Sequence, residues 1–145
     1  MIKKMLFAIA VMFCFMNILC ENENDNIVDM NCDFVAVIDK TKYDNLETAS
    51  FEFISAKIVD GCLAIKIGAS GCSGDTWNFD LVDSGAVAES SPEQRFLKFQ
   101  LINDETCLAY FERTVLVDLT PLQINGSNEI ILNLEDLETP LNYKY

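Results

Sequence analysis

The sequence predicts an all-β domain, an antiparallel β-sandwich of about seven to eight strands with two disulfides. Three observations predict it. From Cys32 onward apolar residues recur with a period of two rather than 3.6, turn residues separate runs of ordinary strand length, and no stretch carries a convincing amphipathic-helix pattern. Short alternating strands without helices favour two packed sheets. A closed β-barrel is the alternative, because period alone does not set closure.

The first run, CDFVAVID, is short, apolar and rich in β-branched residues. FEFISAKIV and CLAIKIG then flank Asp60-Gly61, a pair suited to the positive φ angles of a tight hairpin. In the second arm Leu63, Ile65 and Ile67 share one face, and Ala64 and Lys66 the other. In WNFDLVD the residues Trp77, Phe79 and Leu81 lie opposite Asn78 and Asp80, and Ser84-Gly85 reads as a turn. SSPEQR carries a helix-start signature in Ser91, Pro92 and Gln94, but a strand follows at once and leaves room for one helical turn at most. That strand, RFLKFQLIN, alternates Leu97, Phe99 and Leu101 with Lys98 and Gln100. CLAYFERTVLVDL puts Phe111, Val115 and Val117 on a face that Arg113 interrupts. NEIILNL aligns Ile130, Leu132 and Leu134, and LNYKY closes the chain with Leu141, Tyr143 and Tyr145.

The chain has 145 residues, enough for one domain and one core. Residues 1–19 have the parts of a secretory signal: Lys3 and Lys4, an apolar stretch from Met5 to about Met16, then a break in hydrophobicity. The apolar stretch is shorter than the ~20 residues that span a bilayer, which favours a removable signal. Residues 20–30 read as an acidic tether and residues 31–145 as the sandwich domain. The net charge is −13, and loss of Lys3 and Lys4 with the leader makes it two units more negative. A field of that sign repels phosphate backbones and anionic headgroups, which argues against nucleic-acid partners and electrostatic membrane attachment.

Of the six cysteines, Cys14 lies in the leader and Cys20 at its polar boundary. The remaining four, Cys32, Cys62, Cys72 and Cys107, are an even set that in an exported domain implies two disulfides, with three connectivities open. Cys32 and Cys62 each open a strand, whereas Cys72 lies in a loop and Cys107 begins a strand; matching like with like favours Cys32 with Cys62 and Cys72 with Cys107. Zinc is disfavoured by the lack of close cysteine pairs and of histidine, and no metal or cofactor is expected.

The absence of histidine removes the commonest general base and the Ser-His pair. No nucleophile elbow, Walker loop or dinucleotide fingerprint is present, and the glycines of IGASGCSGD are not spaced as a phosphate cradle. Asp80 with Asp83, or Asp104 with Glu105, could form a carboxylate pair for acid/base chemistry or Ca²⁺, although solvated acidic faces are commoner. Trp77 reads as core. Arg113, a charge on an apolar face, must reach water, line a recess or pair with an acid, and an acidic partner is expected. Tyr143 and Tyr145 share a face that could serve binding, with packing the plainer expectation.

The segment NILC followed by ENENDN resembles type II lipoprotein signals, whose lipobox ends in the cysteine that is acylated; Asn17 and Leu19 depart from its usual residues. The acidic run resembles the surface-export signal of Bacteroidota lipoproteins. With GCSGDTWNFDLVDSGAVAESSPEQR and VDLTPLQ added, the chain is similar to small exported lipoproteins of flavobacteria that carry no known activity. The resemblance implies lipidation of Cys20, a membrane as partner through that anchor, and an outer-membrane, surface-exposed place in the cell envelope; a secreted form is the alternative. The expected function is a lipid-anchored, noncatalytic binding or structural module with a protein or glycan ligand. An immunity or inhibitor lipoprotein and a carboxylate-dependent hydrolase are the alternatives.

Overall fold

Alternation becomes a sheet at Asp60-Gly61, where both residues take positive φ angles of 48° and 84° and reverse the chain between two long strands. The computed structural model describes residues 31–145. The leader, Cys14, Cys20 and the tether to residue 30 lie outside the described residues. Nine strands follow in chain order: β1 (Phe34–Val35), β2 (Val37–Ile38), β3 (Glu52–Val59), β4 (Cys62–Gly71), β5 (Asn78–Ala88), β6 (Glu93–Ile102), β7 (Ala109–Asp118), β8 (Glu129–Leu134) and β9 (Leu141–Lys144). Among the described residues one short helix, α1 (Lys40–Asp44), and a 3-10 turn at Thr120–Leu122 complete them.

The strands form two sheets, ordered β1-β7-β4-β3 and β2-β5-β6-β8-β9, with no barrel closure. The sandwich and its two disulfides, Cys32–Cys62 and Cys72–Cys107, are as expected. Its sheets are mixed rather than purely antiparallel: β1 runs parallel to β7, β2 to β5, and β6 to β8. The first two cases arise because CDFVAVID is not one strand. Ala36 is buried between β1 and β2, and the chain passes there from one sheet to the other. In the third, β7 lies in the other sheet between β6 and β8, so the chain returns to β6 from the same end.

The core lies between the inner faces. Leu63, Ile65 and Ile67 of β4 and Val115 and Val117 of β7 meet Leu81, Leu97, Phe99, Leu101, Ile130 and Leu132 from the second sheet. Each fully buried aliphatic contributes roughly 1.5–3 kcal/mol relative to exposure. Val82, on the opposite face of β5 from Leu81, is also buried. There α1 lies against β5, with Lys42 Nζ donating to Asp80 at 2.6 Å. Asp39 caps this helix by accepting from Lys42 N at 2.9 Å. One helical turn is too short to carry a 3.6 period, so alternation alone does not reveal it.

Two local expectations meet a different geometry. Ser84-Gly85 does not end a strand; it sits inside β5, where the register with β6 breaks between Asp83 and Val87 and Gly85 takes φ 76°. A bulge of this kind needs the same residues as a turn. SSPEQR forms no helical turn, and Glu93 already belongs to β6.

Candidate functional site

Glu105 and Arg113 grip one loop from its two polarities. The Glu105 carboxylate accepts the backbone N–H groups of Cys72, Ser73 and Gly74 at 2.5, 3.0 and 3.0 Å, and the Thr76 hydroxyl at 2.8 Å. Arg113 donates instead to the carbonyls of Ser73 at 2.6 Å and Gly74 at 3.1 Å, and also bonds the Asp75 carboxylate. The expected acidic partner of Arg113 is therefore Asp75, joined by two carbonyls that sequence alone does not indicate. Cys72–Cys107 closes the same loop covalently. A Cβ at Gly71 would run into Glu105 and the Trp77 ring, so glycine permits this close approach. Trp77 is buried in the core cluster, as expected.

The hydrogen bonds from Ser73 and Gly74, followed by those from Thr76 and Cys72, lower the Glu105 carboxyl from 4.5 to about 2. A depressed folded pKa stabilises above the unfolded value, and the contribution is lost as pH falls through the folded one. Glu105→Gln is therefore expected to be less stable than the parent at pH 7. The two unfolding curves should converge as pH falls from about 4.5 toward 2, where the parent carboxylate also loses its charge. Urea titrations across that range check this, and a gap independent of pH would contradict the role given to Glu105.

The pairing of Asp80 with Asp83 does not form. Three residues apart on a strand, they point to opposite faces: Asp80 outward to Lys42, and Asp83 inward, where it is fully buried. Its partner is Arg95, whose Nη1 donates to Asp83 Oδ1 at 3.0 Å and whose Nε donates to the Leu122 carbonyl at 2.8 Å. Burial pushes the Asp83 carboxyl up, against the Gly85 N–H and Arg95, which pull it down. Asp104 is exposed beside the engaged Glu105. The closing tyrosines are held too: Gln123 donates to the Tyr143 hydroxyl at 3.0 Å, and Ile124 N to the Tyr145 hydroxyl at 2.8 Å. Among the described residues no group of three or more Cys, Asp or Glu side chains is placed to hold a metal ion.

Among the open recesses of the described residues is a groove of about 850 Å³ on the side where both sheets end, between β3 and the β8–β9 turn. Phe51, Phe53 and Leu141 supply its apolar lining, and Glu52, Asp136 and Glu138 its exposed charges; neither Lys nor Arg lines it. The aromatic lining is rooted in the core. Phe51 meets Phe53 edge-on at 5.0 Å and Phe99 at 5.5 Å, and Phe99 stacks on Phe79 at 5.7 Å. The chain entering β3 is fixed by Ala49 N donating to the Leu101 carbonyl at 2.9 Å. The opposite wall is fixed by Glu135 N donating to Leu97 O at 2.9 Å and Leu137 N to Leu134 O at 3.1 Å. FEF reads as a strand, but locating the groove requires knowing that β3 is an edge.

No protein-family model matches the chain, and no curated protein matches it by sequence. The chain is similar in fold to several solved structures, two of which follow. One is a NigD-like immunity protein from Bacteroides caccae, with a TM-score of 0.53 and 13% identity over 76% of this chain and 59% of that one. The other is a protein of unknown function, DUF1344, from Bacteroides vulgatus, with a TM-score of 0.51 and 14% identity over 77% and 56%. The chain thus spans less than two thirds of either. At these identities the likeness is one of fold.

Proposed function

We propose that this chain is a noncatalytic protein-binding module of the cell envelope, held at the outer membrane by acylated Cys20 and carried on the acidic stretch 21–30. The observation that supports it is the disposition of charge. Asp83, Arg95, Glu105 and Arg113 are all committed to bonds within the fold, while the acids around the Phe51–Phe53 groove face solvent. Groups that hold structure are poor candidates for proton transfer, and an open recess with aromatic lining and a polar rim suits recognition. The finer reading is an immunity or inhibitor lipoprotein, favoured by the fold shared with a NigD-like immunity protein. The groove would then receive part of the protein to be neutralised. A carboxylate-dependent hydrolase is the weaker alternative, since neither sequence-suggested pair leaves two free carboxylates side by side.

The test is immunoprecipitation after crosslinking in intact envelopes, which should return a stoichiometric protein partner. Intact-mass analysis should find acyl chains on Cys20 as the mature N-terminus. Turnover in a broad glycan and peptide hydrolase screen, abolished by one Asp or Glu substitution, would overturn the noncatalytic reading. An unmodified residue other than Cys20 at the N-terminus would overturn the anchor.

A further inference from the structure

Resting on the binding-module reading, we propose that the groove takes an extended, basic segment of a partner protein, added as a further strand to the free edge of β3. The edge comes first. β3 ends its sheet, so one row of its backbone N–H and C=O groups has no neighbouring strand among the described residues. Such a row is a template for strand addition at a spacing of ~4.8 Å. Edge strands are commonly blunted by bulges and lysines, and β3 carries both, but only in one part: the register shift falls between Phe53 and Ser55, with Lys57 beyond it. Glu52 and Phe53, the start of β3, and the entering residues Ser50 and Phe51 precede both devices and border the groove.

Charge selects the occupant. Glu52, Asp136 and Glu138 surround the site without a compensating base, within a chain of net charge −13. Lys or Arg side chains alternating along an added strand would meet these carboxylates, and a cation or apolar residue between them would meet the Phe51 and Phe53 rings. The chain's own tether fits poorly, because residues 21–31 include Glu21, Glu23, Asp25 and Asp29 and no base. A second copy would bring the same acids edge to edge.

The attachment point leaves the groove accessible. Asn31 and Cys32 lie beside the β3–β4 hairpin, where Cys32 is bonded to Cys62. Glu52 sits at the other end of β3, which at ~3.3 Å per residue is about 23 Å from Val59. An anchor preceding residue 31 therefore leaves this end of β3 turned away from the attachment point.

The test uses the full chain in nonionic detergent and a fluorescent peptide of about ten residues alternating Lys with Val around one Phe. Anisotropy should show binding at least about tenfold tighter than for the same peptide with Glu replacing Lys, weakening as salt rises from about 50 to 300 mM. Glu52→Lys with Glu138→Lys, both at exposed positions, should lower affinity at least about tenfold while leaving the circular dichroism spectrum unchanged. N-methylation of alternate amides that would face β3 should abolish binding. Equal binding of the acidic peptide, unchanged affinity of the double variant, or full binding by the methylated peptide would each overturn the proposal. So would self-association dissolved by the double variant, or binding seen only after deletion of residues 21–30. Photo-crosslinkers at positions 138 and 96 in intact envelopes separate this proposal from the broader reading. A protein captured from 96, on the outer face of β6, and not from 138 overturns the groove while leaving the binding module in place.

Discussion

Replacing Arg95 with Met is expected to lower unfolding free energy by roughly 3–5 kcal/mol, the cost of leaving one member of a buried ion pair uncompensated. Asp83 is fully buried, and its Oδ1 is bonded to Arg95 Nη1 and, at 2.7 Å, to the Gly85 N–H. Arg95 also bonds the Leu122 carbonyl in the 3-10 turn that leads from β7 back to β8. One guanidinium thus joins the β5 bulge to the crossing between sheets. Burial already raises the Asp83 carboxyl, and Arg95 is among the groups that lower it, so the variant's carboxyl should rise further. A folded pKa above the unfolded one favours the native state at low pH and loses that advantage as pH rises through the folded value. The deficit of Arg95→Met should therefore shrink on acidification from pH 7 toward 5. Adding Asp83→Leu should recover more than half of it by removing the stranded charge. Urea unfolding of the three proteins at several pH values measures this, and a cost below about 1 kcal/mol for the single variant would place water at Asp83.

The same pair shows what the sequence exposes and what it conceals. Leu97, Phe99 and Leu101 declare the inward phase of β6, and Arg95 occupies that phase two residues earlier; Asp83 likewise follows Leu81 on β5. Both charges are thus legible as inward-facing in the alternation, by the rule that singles out Arg113. Their pairing is not, because it depends on which strands become neighbours. Strand spacing also argues against Asp80 with Asp83 as a joint site, since an odd separation sends them to opposite faces. The sandwich is legible because period two survives in nearly every strand. The parallel pairs are not, because alternation looks the same in either direction. The groove is hidden for a related reason: Phe51 and Phe53 have the pattern of an ordinary half-buried strand, and only the sheet order makes β3 an edge.

Removing either disulfide by paired Cys→Ser substitution is expected to cost about 4 kcal/mol in the chain-entropy model, since the sequence separations of 30 and 35 are nearly equal. The closed loops do not overlap, so the two losses should add. Their sum approaches the ~5–15 kcal/mol total typical of such a domain, and the variant lacking all four cysteines should be largely unfolded at room temperature. The bridges differ in the native state. Cys62 is buried at 1% exposure, whereas Cys72 and Cys107 are both exposed. Exchange requires a thiolate to reach sulfur, so limiting reductant should open Cys72–Cys107 first, as differential alkylation would record. Opening it need not release its loop, because Glu105 and Arg113 still hold residues 73 and 74 through hydrogen bonds. The cost of Cys72→Ser with Cys107→Ser should consequently arise mainly in the unfolded state while Glu105 is present. In a Glu105→Gln background the loop has lost its donor-side clamp, and the same substitutions should cost more than the separate effects added together. Strict additivity in that cycle would mean that the carboxylate and the disulfide do not share the task of holding this loop.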